Sequence, residues 1–508
     1  MTLTELTDFR LEAVDREWGE VLECGEQGVE LRLVATNQGS RPQTARLRLR
    51  VTDYFGQEVS LNTIDTTFTP GLNELSLQVL DRATTFQEGL VLARVSSEDN
   101  DVPLAETIFG IFPKIPPVAE EPQAPISVIA GRRVVDQLPA QRLWPEMPDY
   151  FRFDPIIAQT RDGAIHVMFQ ENHTRAPEGD LRAQRPTFLT SPDGQNWTAS
   201  QLTLDPPVGY EQAVRAFGAM ADGELLVAYN PVPDVPVTQQ APDSNDITTM
   251  WNPDVLCIAR SNDGGKSWGK SNCVDMRAHG SASGLGRFHE MSAGVIGMTC
   301  TLRRTDPGDA NRPYNALIRS HDGGRTWDDV SLMMPNSAEC QLRQIVSGRW
   351  LATVRSVGRP GDQHGEQGEL VNVLGLDSHP FYELTGVQGY VMNKRTWAAE
   401  SDDEGHHWGN VRVLTTLVGD TPGELIQLHD GRVVFIYCHR YGPLPGVCAR
   451  VSEDEGQTWR PELLVLRTHP HGSYPSSTVL DDDTIVSVLG YSEEPLLQIL
   501  CWKLPAEF

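Results

Sequence analysis

The chain has 508 residues, of which 39% are hydrophobic, and its 42 lysines and arginines face 69 aspartates and glutamates, giving a net charge of −27. An acidic surface of this kind repels nucleic acid and anionic membranes, so we expect neither as a partner. The sequence contains no run of 18 apolar residues, the length that a helix needs to span a bilayer. The first residues lack the basic and apolar regions of a secretory signal, so we expect a cytoplasmic location.

The first 113 residues show the alternation of apolar and polar side chains that is typical of half-buried strands. It is clearest in the segments 29–34, 45–51, 73–79 and 90–95, with turn-rich stretches between them. This pattern predicts a separate N-terminal β-sandwich of immunoglobulin-like type over residues 1–113. Carbohydrate binding and a packing or spacer role both remain open for it. A proline-rich linker follows at 114–125.

A short pattern, Ser-x-Asp-x-Gly-x-x-Trp, occurs five times in the rest of the chain, the first time one residue shorter. The copies lie at 191–197, 261–268, 320–327, 401–408 and 452–459. The aspartate can accept hydrogen bonds from the N–H groups of its own turn, and glycine supplies a residue with positive φ. The tryptophan is large enough to anchor the turn on a neighbouring sheet. Each copy therefore predicts a hairpin turn fixed to a core.

The spacing of the copies indicates a repeat architecture. Their central aspartates are separated by 70, 59, 81 and 51 residues, roughly one four-stranded blade per copy. The repeats resemble the Asp boxes of the sialidase superfamily, whose members fold as six-bladed β-propellers. The resemblance implies an all-β chain with a six-bladed propeller over 126–508. In that superfamily the box lies at the periphery of the blade, so it indicates the fold and not the site.

Other turns give the order of the blades. Asp-Gly-type turns mark blades 1, 2, 4, 5 and 6, and the box at 320 marks blade 3; these turns lie at 160–163, 221–223, 347–348, 429–431 and 482–483. The last unit, about 472–505, has no box. We expect it to complete its blade with a strand from the start of the propeller, which would close the ring and remove exposed edges. The stretch 356–395 is long enough for a loop or extra hairpin over one face.

In blade 1, two segments resemble family motifs. Tyr150-Phe151-Arg152-Phe153-Asp154-Pro155 resembles the Arg-Ile-Pro motif, which implies that Arg152 is the first carboxylate-binding arginine. The segment 171–180 resembles the Glu-x-Arg segment that precedes the acid/base aspartate. The resemblance implies that Asp180 is the acid/base and that Arg175 orients it. The spacing from Glu171 to Arg175 is one residue longer than the family pattern.

Blades 4 and 6 supply three further candidates by the same resemblance. Glu339, the turn Ser347-Gly348 and Arg355 resemble the family's glutamate, turn and second arginine. The segment 472–477 resembles the one that bears the tyrosine nucleophile, which implies this role for Tyr474.

The chemistry of this set is consistent. A carboxylate on the anomeric carbon of a substrate would repel a carboxylate nucleophile, whereas a neutral tyrosine with Glu339 as its base avoids that repulsion. Planar guanidinium groups can hold the substrate carboxylate in a bidentate manner, which lysine cannot do. Asp180 would protonate the leaving oxygen and later deprotonate water, which gives retention of configuration.

Blade 5 departs from the family pattern. The third arginine should lie about seven residues before the box, but position 445 is proline. Arg440 and Arg450 are the candidates, and we prefer Arg440 because it ends an apolar strand. An incomplete arginine triad leaves another acidic sugar, or a neutral one, open as the substrate. In blade 3, His289 and Glu290 form a further ionisable pair. We include them as candidates for substrate binding, although a histidine beside a glutamate more often has a structural role.

The eight cysteines show neither CxxC pairs nor metal-ligand spacing, so we expect reduced core residues and no metal. No phosphate-binding loop, His-Glu-x-x-His motif or nucleophile elbow is present, so no cofactor is expected.

The leading hypothesis is an exo-acting glycoside hydrolase of the sialidase superfamily that cleaves a terminal, acidic sugar. One alternative keeps the fold but acts as a lyase or hydrolase on uronic-acid or deoxy-sugar glycans. Another is a non-catalytic propeller that binds glycan or protein, because one fold hosts many functions.

Overall fold

The computed structural model describes most of the chain. The described ranges are 5–13, 21–24, 29–53, 58–79, 89–98, 100–113, 128–129, 132–135, 141–143, 150–173, 184–205, 210–233, 255–283, 286–303, 313–335, 337–356, 396–415, 423–439, 446–460, 463–466, 472–491 and 497–505. These residues form β-strands, turns and one short 3-10 helix, Ser292–Gly294. The all-β class is therefore confirmed. Within these ranges no helix has the length and hydropathy needed to cross a bilayer.

The N-terminal strands form two sheets. They are β1 (Leu6–Ala13), β2 (Val21–Cys24), β3 (Val29–Asn37), β4 (Gln43–Asp53), β5 (Glu58–Phe68), β6 (Gly71–Val79), β7 (Gly89–Ser97) and β8 (Asn100–Pro113). One sheet has the order β1-β3-β6 and the other β2-β8-β7-β4-β5. Leu31 and Leu33 of the first sheet share one hydrophobic core with Leu47 and Leu49 of the second. The two sheets therefore pack face to face, as the alternating pattern predicts; the immunoglobulin-like type stays a prediction.

The remaining strands begin with three short ones, β9 (Val128–Ile129), β10 (Arg132–Val135) and β11 (Gln141–Leu143). Antiparallel meanders follow in chain order: β12 (Tyr150–Gln159), β13 (Ile165–His173), β14 (Gln184–Ser191) and β15 (Thr198–Gln201); β16 (Tyr210–Ala219), β17 (Leu225–Pro233), β18 (Val255–Ser261) and β19 (Asn272–Asp275); β20 (Ser281–Ser283), β21 (Gly286–Glu290), β22 (Ile296–Arg303), β23 (Pro313–Ser320) and β24 (Asp329–Pro335); β25 (Ser337–Gln344), β26 (Trp350–Ser356), β27 (Thr396–Ser401) and β28 (Gly409–Val413); β29 (Glu424–Gln427), β30 (Val433–His439), β31 (Gly446–Ser452) and β32 (Leu463–Leu466); β33 (Gly472–Val479), β34 (Ile485–Tyr491) and β35 (Leu497–Trp502).

One strand from each meander, which is β21 in the third meander and the first strand in the others, contributes to a closed ring; these are called the first strands below. β12 contacts β16, β16 contacts β21, β21 contacts β25, β25 contacts β29, β29 contacts β33, and β33 contacts β12. β16 and β21 pair in parallel. This arrangement is β-propeller-like, and strands in it run in one direction around the axis. The amino-terminal ends of the ring strands therefore meet at one rim and their carboxyl-terminal ends at the other.

A strand from much earlier in the chain, β11, completes the last meander. β11 pairs antiparallel with β35, so that Gln141 lies opposite Ile499. This confirms the prediction that the unit without a box is closed by a strand from the start of the propeller. The pairing covers an edge that would otherwise expose unpaired backbone groups.

The boxes form the same hydrogen-bonded turn in five places, as the residue types predict. In each, the serine hydroxyl accepts the N–H of a glycine and donates to the aspartate. In the box at 320–327, Asp322 Oδ1 accepts the Thr326 N–H at 2.9 Å, and Gly324 has φ 81°. The tryptophan of this box, Trp327, is only 2% exposed.

Each box connects the third strand of its meander to the fourth, away from the ring of first strands. Its glycine lies close to the preceding meander. A Cβ on Gly265 would overlap the Phe188 ring of β14, and one on Gly456 would lie 3.0 Å from Leu351 of β26. The boxes therefore join neighbouring meanders at their outer part and do not line the centre.

The box aspartates should make the stability of the fold sensitive to acid. Hydrogen bonds from the Asn196 N–H lower the pKa of Asp193 to about 2, and the Ser267 hydroxyl does the same for Asp263. An unfolded aspartate titrates near pH ~3.9. The stabilisation from these carboxylates is therefore complete above that pH and is lost as the pH falls through about 2.

We expect Asp263→Asn to reduce the dependence of the unfolding free energy on pH between about 4 and 2. Urea unfolding followed by tryptophan fluorescence measures this. Asp402→Asn, at the exposed second position of the box at 401–408, is the control that should leave the dependence unchanged. An unaltered slope in Asp263→Asn would contradict the prediction.

Two of the cysteines differ from the expectation of reduced core residues. Cys257 of β18 lies directly opposite Cys273 of β19, and the two form a disulfide. Their separation of 16 residues matches no motif, and only the strand pairing brings them together. Five others are buried with free thiols, as expected: Cys300, Cys340, Cys438, Cys448 and Cys501. The side chain of Cys24 lies outside the described residues.

Candidate active site

Three of the predicted residues meet at the amino-terminal rim of the ring. Glu339 lies on β25, Arg355 on β26 and Tyr474 on β33. The Tyr474 hydroxyl donates to Glu339 Oε1 at 2.7 Å, and Arg355 Nη2 pairs with Glu339 Oε2 at 2.7 Å. Arg355 Nη1 also lies 3.5 Å from the Tyr474 oxygen. Positions separated by 135 residues in the chain thus form one hydrogen-bonded group.

An unusual backbone conformation places two of these side chains. Glu339 has φ 64° and Tyr474 has φ 52°, in the left-handed region that non-glycine residues rarely adopt. Both positions coincide with register shifts in their ladders, Glu339 against β26 and Tyr474 against β34. A bulge re-aims the side chain that it carries. Strain of this kind costs of order 1–3 kcal/mol per residue and is concentrated at functional sites.

The neighbouring meander holds the backbone of Glu339 in this conformation. The Glu339 N–H donates to Thr301 Oγ1 at 3.2 Å, and the Asn315 side-chain amide donates to the Glu339 carbonyl at 3.1 Å. Thr301 is 3% exposed and Asn315 is fully buried. Sequence reasoning did not find these two residues, because their partners are backbone groups of a different meander and no side-chain motif marks them.

The chemistry available to this group follows from its contacts. The side chains of Arg355 and Glu339 are 8% and 14% exposed, so water screens their attraction only weakly. When a carboxylate accepts a hydrogen bond from a tyrosine hydroxyl, the two groups have the arrangement of a base beside a nucleophile. The guanidinium beside both groups can also bind an anionic substrate group. Within the described residues, no group of three or more His, Cys, Asp and Glu side chains is placed to hold a metal ion.

Arg152 lies at the same rim as the Glu339 group. In the backbone ladders, both Arg152 and Gly472 lie opposite Tyr491, so Arg152 is near the segment that carries Tyr474. The side chain of Arg152 is outside the described residues.

Three other predicted site residues, Arg175, Asp180 and Arg440, lie entirely outside the described residues, and their roles stay predictions. The second candidate for the third arginine, Arg450, donates to the Leu414 carbonyl in the preceding meander.

The structure does not bring His289 and Glu290 to the Glu339 group. Both lie at the carboxyl-terminal end of β21, and Glu290 accepts the Ala221 N–H, at 2.6 Å, from the turn that follows β16. That turn is at the opposite rim of the ring. The ring of His289 packs edge-on against Trp350 at 5.7 Å between centroids. The ionisable side chains of His289 and Glu290 favour a role in binding, but their position at the carboxyl-terminal end of β21 places them at the other end of the ring.

Thr301→Val tests the support of Glu339 by removing the hydroxyl that accepts its N–H. We expect the unfolding free energy to fall by about 1 kcal/mol and kcat to fall about tenfold with little change in KM, because the Glu339 carboxylate is displaced while Arg355 remains in place. Thr301→Ser keeps the hydroxyl and should restore kcat. Equal losses in both variants would assign the effect to packing and not to the hydrogen bond.

Comparisons with known proteins agree with this architecture. Residues 387–488 match the family model of the BNR repeat-like domain. A protein of unknown function from Dyadobacter fermentans is 17% identical, with a TM-score of 0.53 over 73% of this chain and 99% of its own. The Hadza microbial sialidase Hz136 is 14% identical, with a TM-score of 0.49 over 97% and 99% of the two chains. The NanB sialidase from Streptococcus pneumoniae is 10% identical, with a TM-score of 0.47 over 95% of each.

No curated protein matches the sequence. At 17% identity, the likeness to the Dyadobacter protein shows a shared fold and nothing about activity. Residues 387–488 thus match a BNR repeat-like domain, and the repeated boxes and the β-propeller-like ring are in keeping with such repeats.

Proposed function

We propose that the chain is an exo-acting glycoside hydrolase that cleaves a terminal, acidic sugar. The observation that carries the proposal is the hydrogen bond from the Tyr474 hydroxyl to Glu339 beside the guanidinium of Arg355. Tyr474 is the nucleophile, Glu339 is its base, and Arg355 binds the acidic group of the sugar. Two strained backbone positions in different meanders support the assignment, since packing alone does not require them.

The reaction proceeds in two steps. In the first, the Tyr474 oxygen attacks the anomeric carbon, its proton passes to Glu339, and the bond from that carbon to the leaving oxygen breaks. Asp180 is the proposed donor of a proton to the leaving oxygen. In the second step, Asp180 takes a proton from water, and the water oxygen bonds to the anomeric carbon. The bond from that carbon to the Tyr474 oxygen breaks, and the Tyr474 oxygen recovers its proton from Glu339. Two displacements give retention of configuration.

An acidic substrate follows from the nature of the nucleophile. A neutral phenol is favoured over a carboxylate nucleophile where the substrate has its own negative charge near the anomeric carbon. Arg355 supplies local positive charge in a protein whose net charge is −27. Arg152, which lies at the same rim, and Arg440 are the proposed further binding arginines. Arg175 is proposed to orient Asp180.

For the architecture, we propose an immunoglobulin-like sandwich over 1–113, a linker over 114–125 and a six-bladed propeller over 126–508. The contacts that join each first strand to the next around the ring support the blades. The shared core of the two N-terminal sheets supports the sandwich.

A panel of chromogenic glycosides, with sialosides and uronides first and neutral sugars as controls, tests the proposed activity. We expect release of the chromophore from acidic sugars, with NMR showing a first-formed sugar of retained configuration. An unsaturated product that absorbs in the ultraviolet would instead indicate a lyase. Glycan binding without turnover of any glycoside would indicate a binding protein.

A further inference from the structure

A cavity lies at the rim opposite Glu339 and Tyr474. Its volume is about 340 Å³, and the carboxyl-terminal ends of ring strands line it, among them Gln159 of β12, Gln344 of β25 and Thr478 of β33. We call it the channel cavity. Its volume is within the range of small-molecule sites, about 300–1,000 Å³.

The lining of the channel cavity contains two arginines and two glutamates, Arg287, Arg343, Glu290 and Glu424. Arg287 Nη2 donates to the Glu424 carboxylate, and the two side chains are 14% and 2% exposed. This buried pair neutralises one of the two guanidinium groups. The second guanidinium, that of Arg343, is not part of this ion pair.

Arg343 has no hydrogen-bond or ion-pair partner among the described residues, although it lines the cavity. Its side chain is exposed to solvent. The protein around the guanidinium and repulsion from Arg287 lower the pKa of Arg343, while Glu424 opposes this. A cation in such surroundings gains stability when an anion binds beside it.

Two buried polar atoms in the same wall also have no partner among the described residues, Arg287 Nε and His289 Nε2. Burial, together with Arg287 and Arg343, lowers the pKa of His289 to about 3, so its ring is neutral at physiological pH. Buried polar groups in native proteins are nearly always hydrogen-bonded to protein, water or ligand. Glu290, the other acid in the lining, is exposed at the mouth and accepts the Ala221 N–H.

We propose that the channel cavity binds a small oxyanion, a carboxylate or phosphate of monosaccharide size or less, through Arg343 and Arg287. The site is separate from the proposed active site and does not depend on the proposed hydrolase activity. Planar guanidinium groups suit both carboxylate and phosphate, so the two sources share one chemistry.

Calorimetric titration of the full chain with inorganic phosphate, glucuronate and, as the neutral control, glucose tests the proposal. We expect phosphate or glucuronate, but not glucose, to bind the wild-type protein. Arg343→Gln should weaken that binding about tenfold or more, because a charge-assisted contact is lost. Binding of phosphate alone would identify an inorganic ligand, and binding of glucuronate alone a sugar acid; either supports the site.

Two control variants locate the binding. Arg355→Gln removes the guanidinium that is proposed to bind acidic sugars at the other rim, so oxyanion binding that remains in this variant does not belong to the proposed active site. Arg161→Gln removes an exposed charge from the turn after β12 and should bind like wild type. Arg343→Gln is therefore compared with the intact protein both alone and together with Arg355→Gln. Arg343→Gln should not lower the melting temperature without ligand, since no partner among the described residues is lost. The proposal is overturned if Arg343→Gln does not weaken oxyanion binding, if no binding remains in Arg355→Gln, so that all of it belongs to the other rim, or if no oxyanion binds.

Discussion

Tyr474→Phe should lower kcat on an acidic glycoside by about 10³-fold or more, because the nucleophilic oxygen is removed from a site that otherwise remains assembled. The change deletes one hydroxyl, which donates to Glu339 at 2.7 Å, and leaves the ion pair between Arg355 and Glu339 in place. We therefore expect the unfolding free energy to change by only about 1 kcal/mol. Steady-state kinetics and urea unfolding of the same preparation separate the two effects.

Tyr229→Phe is the matched control. Its hydroxyl is also hydrogen-bonded, to Ser271 Oγ at 2.8 Å and to the Asp205 carbonyl at 3.2 Å, but it belongs to the hydrophobic core around β17. The same atom is deleted far from Glu339, so stability should fall while kcat is kept. Normal turnover in Tyr474→Phe would remove the nucleophile from the mechanism.

Glu339→Gln should lower kcat by about 10²–10⁴-fold, the usual contribution of a general base. Glutamine keeps an oxygen near the Tyr474 hydroxyl but cannot take its proton. It also leaves Arg355 without the carboxylate that it contacts at 2.7 Å, so KM for an anionic substrate should not rise and is expected to fall.

The matched control for this change is Glu400→Gln. Glu400 has a side chain that is 9% exposed and pairs with Arg349 and Arg412, so the same buried ion-pair chemistry is disturbed. It lies on the third strand of its meander, away from the ring. Loss of stability with unchanged kcat is expected there. Equal kcat losses in both variants would mean that Glu339 acts only through stability.

The features that could be read from the sequence are those whose interactions are local. In a box such as 320–327, Ser320, Asp322 and Gly324 bond within one turn, so the residue types determine the geometry. Glu339, Arg355 and Tyr474 were identified by resemblance to family motifs, and the ring of first strands then brings them together.

The features that could not be predicted from the sequence depend on the register between strands that are distant in the chain. Thr301 and Asn315 support Glu339 through its backbone, which no side-chain pattern shows. The disulfide of Cys257 with Cys273 follows from the pairing of β18 with β19. The ion pair of Arg287 with Glu424 likewise joins two distant ring strands, β21 and β29.

Trapping of the covalent intermediate tests the role of Tyr474 most directly. An activated acidic glycosyl fluoride with a second fluorine beside the anomeric carbon slows both steps, because the fluorine destabilises the oxocarbenium-like transition state, and lets a glycosyl-enzyme accumulate. Intact-protein mass and peptide mapping locate the sugar. We expect one sugar per chain, attached to Tyr474 and absent from Tyr474→Phe. A sugar attached to Glu339 or another carboxylate, or full turnover of the natural glycoside by Tyr474→Phe, would contradict the proposed mechanism.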